Sequence, residues 1–110
     1  MALAFKLLGS SGIASASNTT VYTVPASTQT EVKSLWITNV TGTDETIEIW
    51  HVESGDSAVD SNKRIFDLTI PANDFKKIQA DWQLATGDTI QAKGSTNNSI
   101  TIGVYGAEEA

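Results

Sequence analysis

His51 is the only histidine in this chain, and cysteine is absent. A catalytic zinc site draws on several histidine or cysteine ligands. Disulfide staples, thiolate catalysis and cysteine metal sites all need cysteine. What remains is a Ser-His-Asp arrangement, which a chain rich in serine and aspartate supplies by count. Such a triad is recognised by geometry rather than sequence position. No Gly-x-Ser-x-Gly elbow is present, and His51 lies between Trp50 and Val52 in a segment that reads as a strand. Carboxylates for glycoside cleavage are available by number only. Gly9-Ser-Ser-Gly12 lacks the lysine and the preceding buried strand of a phosphate loop. The expectation is a non-enzyme with no catalytic residues, no metal and no cofactor.

Two other groupings bear on binding. Between Asp44 and Asp60 there are six acids and no Lys or Arg; they lack the tight alternation of a calcium loop and read as a solvated face and loop. The three tryptophans, Trp36, Trp50 and Trp82, raise the alternative of a carbohydrate-binding module, since exposed rings on a sheet stack on pyranoses. Against it, Trp36 and Trp82 hold equivalent places in an internal repeat, which suits paired core or interface residues. The net charge is −6, with the seven basic residues scattered. That is the wrong electrostatics for a phosphate backbone, so no nucleic-acid partner is expected.

The repeat describes the elements. Tyr22–Trp36 returns 46 residues later as Leu68–Trp82, with Thr23/Thr69, Val24/Ile70, Pro25/Pro71, Ala26/Ala72, Val32/Ile78 and Trp36/Trp82 in register. Each copy reads as a strand end, a proline that stops pairing, a polar turn and a new strand. Two similar hairpin-like halves facing each other across a core are expected. Strands follow at short intervals: Thr19–Val24, Glu31–Val40, Thr46–Val52, Arg64–Ile70, Phe75–Ala80, Thr89–Lys93 and Ser99–Tyr105. Glu31–Val40 and Thr46–Val52 are expected to form an antiparallel hairpin, and so are the last two strands. Val32 and Trp36 are placed on one face of their strand, Leu35 and Ile37 on the other. The expected core is Val24, Val32, Ile37, Ile47, Ile49, Phe66, Leu68, Ile70, Ile78, Leu84, Ile90, Ile100, Ile102 and Val104. No run of ten residues carries a capped 3.6 period. The fold class is all-β: a single β-sandwich or jelly-roll-like domain of about eight antiparallel strands over residues 13–110.

Residues 1–12 read as a short apolar arm with a Gly/Ser joint at Gly9–Gly12. Its one cation, Lys6, lies inside the apolar stretch, which argues against an export signal. No window approaches the roughly 20 apolar residues of a membrane span, so no membrane partner is expected. Asn18, Asn39 and Asn97 each open an Asn-x-Ser/Thr triplet; without an export signal they are expected to carry no glycan. Such an arm either completes the domain's own sheet or docks on a partner or a neighbouring subunit; the Gly/Ser joint favours docking, through Leu3, Phe5, Leu7 and Leu8.

Four pieces occur in order: Val21-Tyr-Thr-Val-Pro-Ala26, Val32-Lys-Ser-Leu-Trp-Ile-Thr-Asn39, Leu84-Ala-Thr-Gly-Asp-Thr-Ile-Gln-Ala92 and Ile100-Thr-Ile-Gly-Val-Tyr-Gly-Ala-Glu108. The set, over most of residues 19–108, resembles small virion structural proteins of tailed bacteriophages, of the capsid decoration (cement) or tail-accessory kind. The resemblance implies a non-enzymatic protein on the capsid exterior, made in the host bacterial cytoplasm. It implies binding to the major capsid protein as a homotrimer that stabilises the shell. A tail, head-tail adaptor or fibre-associated component is the alternative. The resemblance supplies no catalytic residues and does not cover the arm.

Overall fold

The computed structural model describes residues 5–13, 15, 18–96 and 99–109, with the Phe66 side chain excepted. Eight strands follow in order: β1 (Lys6–Gly12), β2 (Thr19–Thr23), β3 (Gln29–Asn39), β4 (Glu45–Val52), β5 (Lys63–Ile70), β6 (Phe75–Leu84), β7 (Thr89–Gly94) and β8 (Ile100–Glu109). A 3-10 turn, Asp60–Asn62, precedes β5. The strands form two four-stranded sheets, ordered β1-β8-β3-β6 and β2-β7-β4-β5, with every pairing antiparallel.

β1 pairs with β8, β2 with β7, β3 with β6 and β4 with β5. The chain is thus one long antiparallel ribbon wound into two layers, the jelly-roll way of making a β-sandwich. This overturns two expected hairpins. β3 and β4 lie in different sheets, as do β7 and β8; only β4 and β5 are consecutive and paired. Alternation of apolar residues looks the same whether a strand folds back on its neighbour or crosses to the other layer. The period therefore locates strands without pairing them.

The repeat is real but its geometry differs from two facing hairpins. Each copy is a corner that carries the chain from the β2-β7-β4-β5 sheet to the other one. In both, the residue after Pro-Ala takes a left-handed conformation: Ser27 at φ 54° and Asn73 at φ 53°. Proline ends the strand ladder and the left-handed residue turns the chain.

The core lies between the sheets. Val24, Val32, Ile37, Ile47, Ile49, Ile70, Leu84, Ile90, Ile100, Ile102 and Val104 are buried, and Leu68 and Ile78 pack half-buried against them. Phe66, expected among them, has its side chain outside the described set. Leu35, expected on the opposite face from Val32, is buried with it. A bulge between Val32 and Ser34 explains this: β8 passes directly from Gly106 to Tyr105 while β3 inserts Lys33, and β6 in turn leaves both Ala80 and Asp81 unpaired there. An extra residue on one strand reverses the alternation beyond it. The same bulge separates the two repeat tryptophans: Trp36 faces outward and is 39% exposed, whereas Trp82, paired across to Val32, packs against the core.

Candidate functional site

Lys6–Gly12 is a strand paired with β8, so of the two expected roles this stretch takes the first and completes the domain's own sheet, and Gly9–Gly12 is strand rather than a flexible joint. Gly9 is required there by a close approach, because a Cβ would sit 2.5 Å from the Val21 carbonyl oxygen. Of the four expected contact residues, Leu3 lies outside the described residues. Leu8 is half-buried against the core. Phe5 and Leu7 face water, 61% and 48% exposed. Lys6 is fixed by an ion pair to Glu108 at 3.2 Å. Glu108 also accepts the Tyr22 hydroxyl, which meets the Thr30 hydroxyl at 2.8 Å. This chain of polar contacts fastens β1 to β8, β2 and β3 at one end of the sandwich. Burial, and then the bond to Glu108, pushes the Tyr22 phenol up to about 12. The same bond holds the Glu108 carboxyl below its ordinary range.

On the outer face of the β1-β8-β3-β6 sheet, Leu7 pairs across to Tyr105, Ser10 to Gly103 and Gly103 to Trp36. Trp36 stacks on Phe75 with ring centroids 5.4 Å apart and planes 19° from parallel. The Lys77 ammonium lies 5.6 Å from the Trp36 ring centroid. A shallow groove of about 440 Å³ runs beside Trp36, lined by Tyr105 and Leu7, which lie over Gly103, with Ser10, Thr38 and Thr101 along it. Sequence reasoning missed this face because the alternation, carried through the bulge, put Trp36 with Val32.

At one end of the sandwich, His51 Nε2 lies 3.0 Å from Asp88 Oδ2. Asp88 also accepts the Ser54 and Ala85 backbone N–H groups. Burial pushes the Asp88 carboxyl up, but those hydrogen bonds together outweigh it and hold the group below its ordinary range. The carboxylate ties the start of the 53–62 loop to the Ala85–Asp88 turn, where Gly87 takes φ 85°. A polar pocket of about 350 Å³ opens beside His51, with Ser57, Ser61, Asn62 and Arg64 around it. Among the described residues no serine hydroxyl bonds to His51, so the pair forms a clamp on the loop without an attached nucleophile.

The acids between Asp44 and Asp60 are dispersed among separate tasks. Asp44 accepts the Ala72 N–H. Glu45, expected on a solvated face, is buried and bonded to Thr43 and Ser95. Glu48 pairs with Lys63. Among the described residues no group of three or more potential ligands is placed to hold a metal ion, and no helix is long and apolar enough to cross a membrane. Asn39 is buried, donating to the Thr43 and Ile70 carbonyls and accepting from Thr41; Asn97 lies outside the described residues. No protein family matches the sequence, and neither a curated protein nor a solved structure is detectably similar to it.

Proposed function

We propose that this chain is a non-enzymatic structural component of a tailed-phage virion. In this reading it is a capsid decoration protein that binds the outer surface of the major capsid protein shell as a homotrimer and stabilises it. The observation that carries the reading is the β1 edge, where Leu7 on an outermost strand and Phe5 just before it expose apolar side chains. Such an edge offers unpaired main-chain groups as well as apolar contact to a neighbouring chain. Covering each side chain contributes roughly 1.5–3 kcal/mol before ordering is subtracted. Copies bound together multiply the effect through effective concentration. The jelly roll is a fold used by viral capsid proteins, among others, and this support is analogy at the level of fold.

The test is addition of purified protein to undecorated shells. The wild type should co-sediment stoichiometrically, while the double variant Phe5→Ser, Leu7→Ser should stay folded and remain in the supernatant. Copy number in purified particles then refines the location: hundreds indicate capsid decoration, a handful a tail or adaptor position. Absence from the particles rejects the virion role.

A further inference from the structure

The groove beside Trp36 shares Leu7 with the β1 edge but adds an indole and a row of hydroxyls. Phe75 and Lys77, which cover the Trp36 ring, both belong to β6. The groove lies on the opposite, β8 side, where Gly103 directly faces Trp36 and places no side chain against it. The indole is thus held from its β6 side, and a slot lies on its β8 side. The Tyr105 ring, 38% exposed, lies over Gly103, 3.2 Å from where a Cβ would be, with Leu7 at 3.6 Å, so these two side chains line the slot above the glycine. Among the described residues, the side-chain hydroxyls of Ser10, Thr38, Thr101 and Tyr105 make no hydrogen bond within the protein. No charged side chain lines the groove.

We infer that this groove is a binding site for a neutral oligosaccharide, with the C–H face of one pyranose ring stacked on Trp36. An aromatic ring held from one side, in a row of uncharged hydroxyls, matches a ligand that has an apolar face and a rim of hydroxyl groups. A purely apolar ligand would bury the free hydroxyls without partners, and the Lys77 ammonium beside the indole comes from the β6 side and does not line the groove. The site is open on one side, so millimolar affinity is expected, with Kd of about 1 mM.

The experiment is isothermal titration of the full chain with maltohexaose, cellohexaose and chitohexaose up to about 10 mM, a ceiling chosen for millimolar binding. At least one should saturate. Trp36→Ala should then weaken binding about tenfold or more. Trp36→Phe should retain most of it, Thr101→Val should weaken it, and Val59→Ser, on the distant loop, should leave it unchanged. Thermal melting of each variant separates loss of the site from loss of the fold. The inference is overturned if none of the three sugars binds, or if folded Trp36→Ala binds like the wild type. It is also overturned if Trp36→Ala alters the solution mass, because the face would then be a contact between copies of this chain.

Discussion

Gly106 has the least room of any glycine described: a Cβ there would lie 2.0 Å from the Glu31 carbonyl oxygen. That oxygen belongs to the backbone of the neighbouring strand and cannot swing aside. Gly106→Ala should therefore destabilise the fold by about 1–3 kcal/mol or more, whereas Gly42→Ala, with nothing within 4 Å, should be nearly neutral; urea unfolding of the pair reads the contrast directly. Other members of the ordered sequence set are held just as firmly. Asn39 staples two turns, Asp88 clamps a loop, and Tyr22 and Glu108 meet across the sandwich end. These members of the set build corners and ties between strands, whereas Trp36, Thr38, Thr101 and Tyr105, in the same set, line the outer-face groove. Asp88 and Glu108 also set an acid limit. Their folded values lie below the ordinary 3.8 and 4.5, so the native state binds fewer protons than the unfolded chain around those values. Their contribution is present above the unfolded pKa values and is lost as pH falls through the folded ones. Stability from urea unfolding should hold from neutral pH down to about 5 and fall below about 4. Asp88→Asn should flatten part of that fall.

At the scale of elements, strand existence was legible and strand pairing was not. Every expected strand is present, because turn residues and short apolar runs mark them locally. The two expected hairpins fail because Thr41–Glu45 and Gly94–Asn98 join different layers. Among the described residues, only Gly55 and Gly87 are glycines at positive φ, so Gly42 does not form the primed turn that a tight hairpin favours. The bulge after Val32 was invisible for a similar reason: the extra residue, Lys33, has no turn chemistry. Its consequence is large, since it sends Trp36 outward and leaves Trp82 inward. β1 was the other misread element, because Gly-Ser-Ser-Gly resembles a linker while its glycine answers a backbone contact. The pairing gives a sharp expectation. Deleting residues 1–9 removes the Lys6, Leu7 and Gly9 pairings to β8 and the packing of Leu8. The truncated chain should lose at least about 2 kcal/mol, the order of one buried leucine. A thermal melt unchanged from the wild type would show that β1 is dispensable to the fold.

At the scale of the whole molecule, the described residues leave four sheet edges: β1, β6, β2 and β5. Three are defended against unwanted pairing. β6 carries Lys76, Lys77 and Asp81, β5 carries Lys63, Arg64 and Asp67, and β2 is only five residues long. Charges and shortness are the usual protections of an edge. β1 has neither: its one charge, Lys6, is engaged by Glu108, and its neighbours Phe5 and Leu7 are apolar and exposed. An undefended edge in an acidic protein is best explained by a chain that covers it, and closed symmetry covers every such edge at once. The proposed homotrimer therefore places β1 at or beside the contact between copies. Light scattering should give a mass three times the 11.7 kDa of one chain. Phe5→Ser with Leu7→Ser should shift that mass to the monomer if β1 joins the copies. A trimer that survives those changes but no longer adds to shells assigns β1 to the capsid contact instead. A monomer mass for the wild type across micromolar concentrations would remove the trimer and leave the edge for the shell alone.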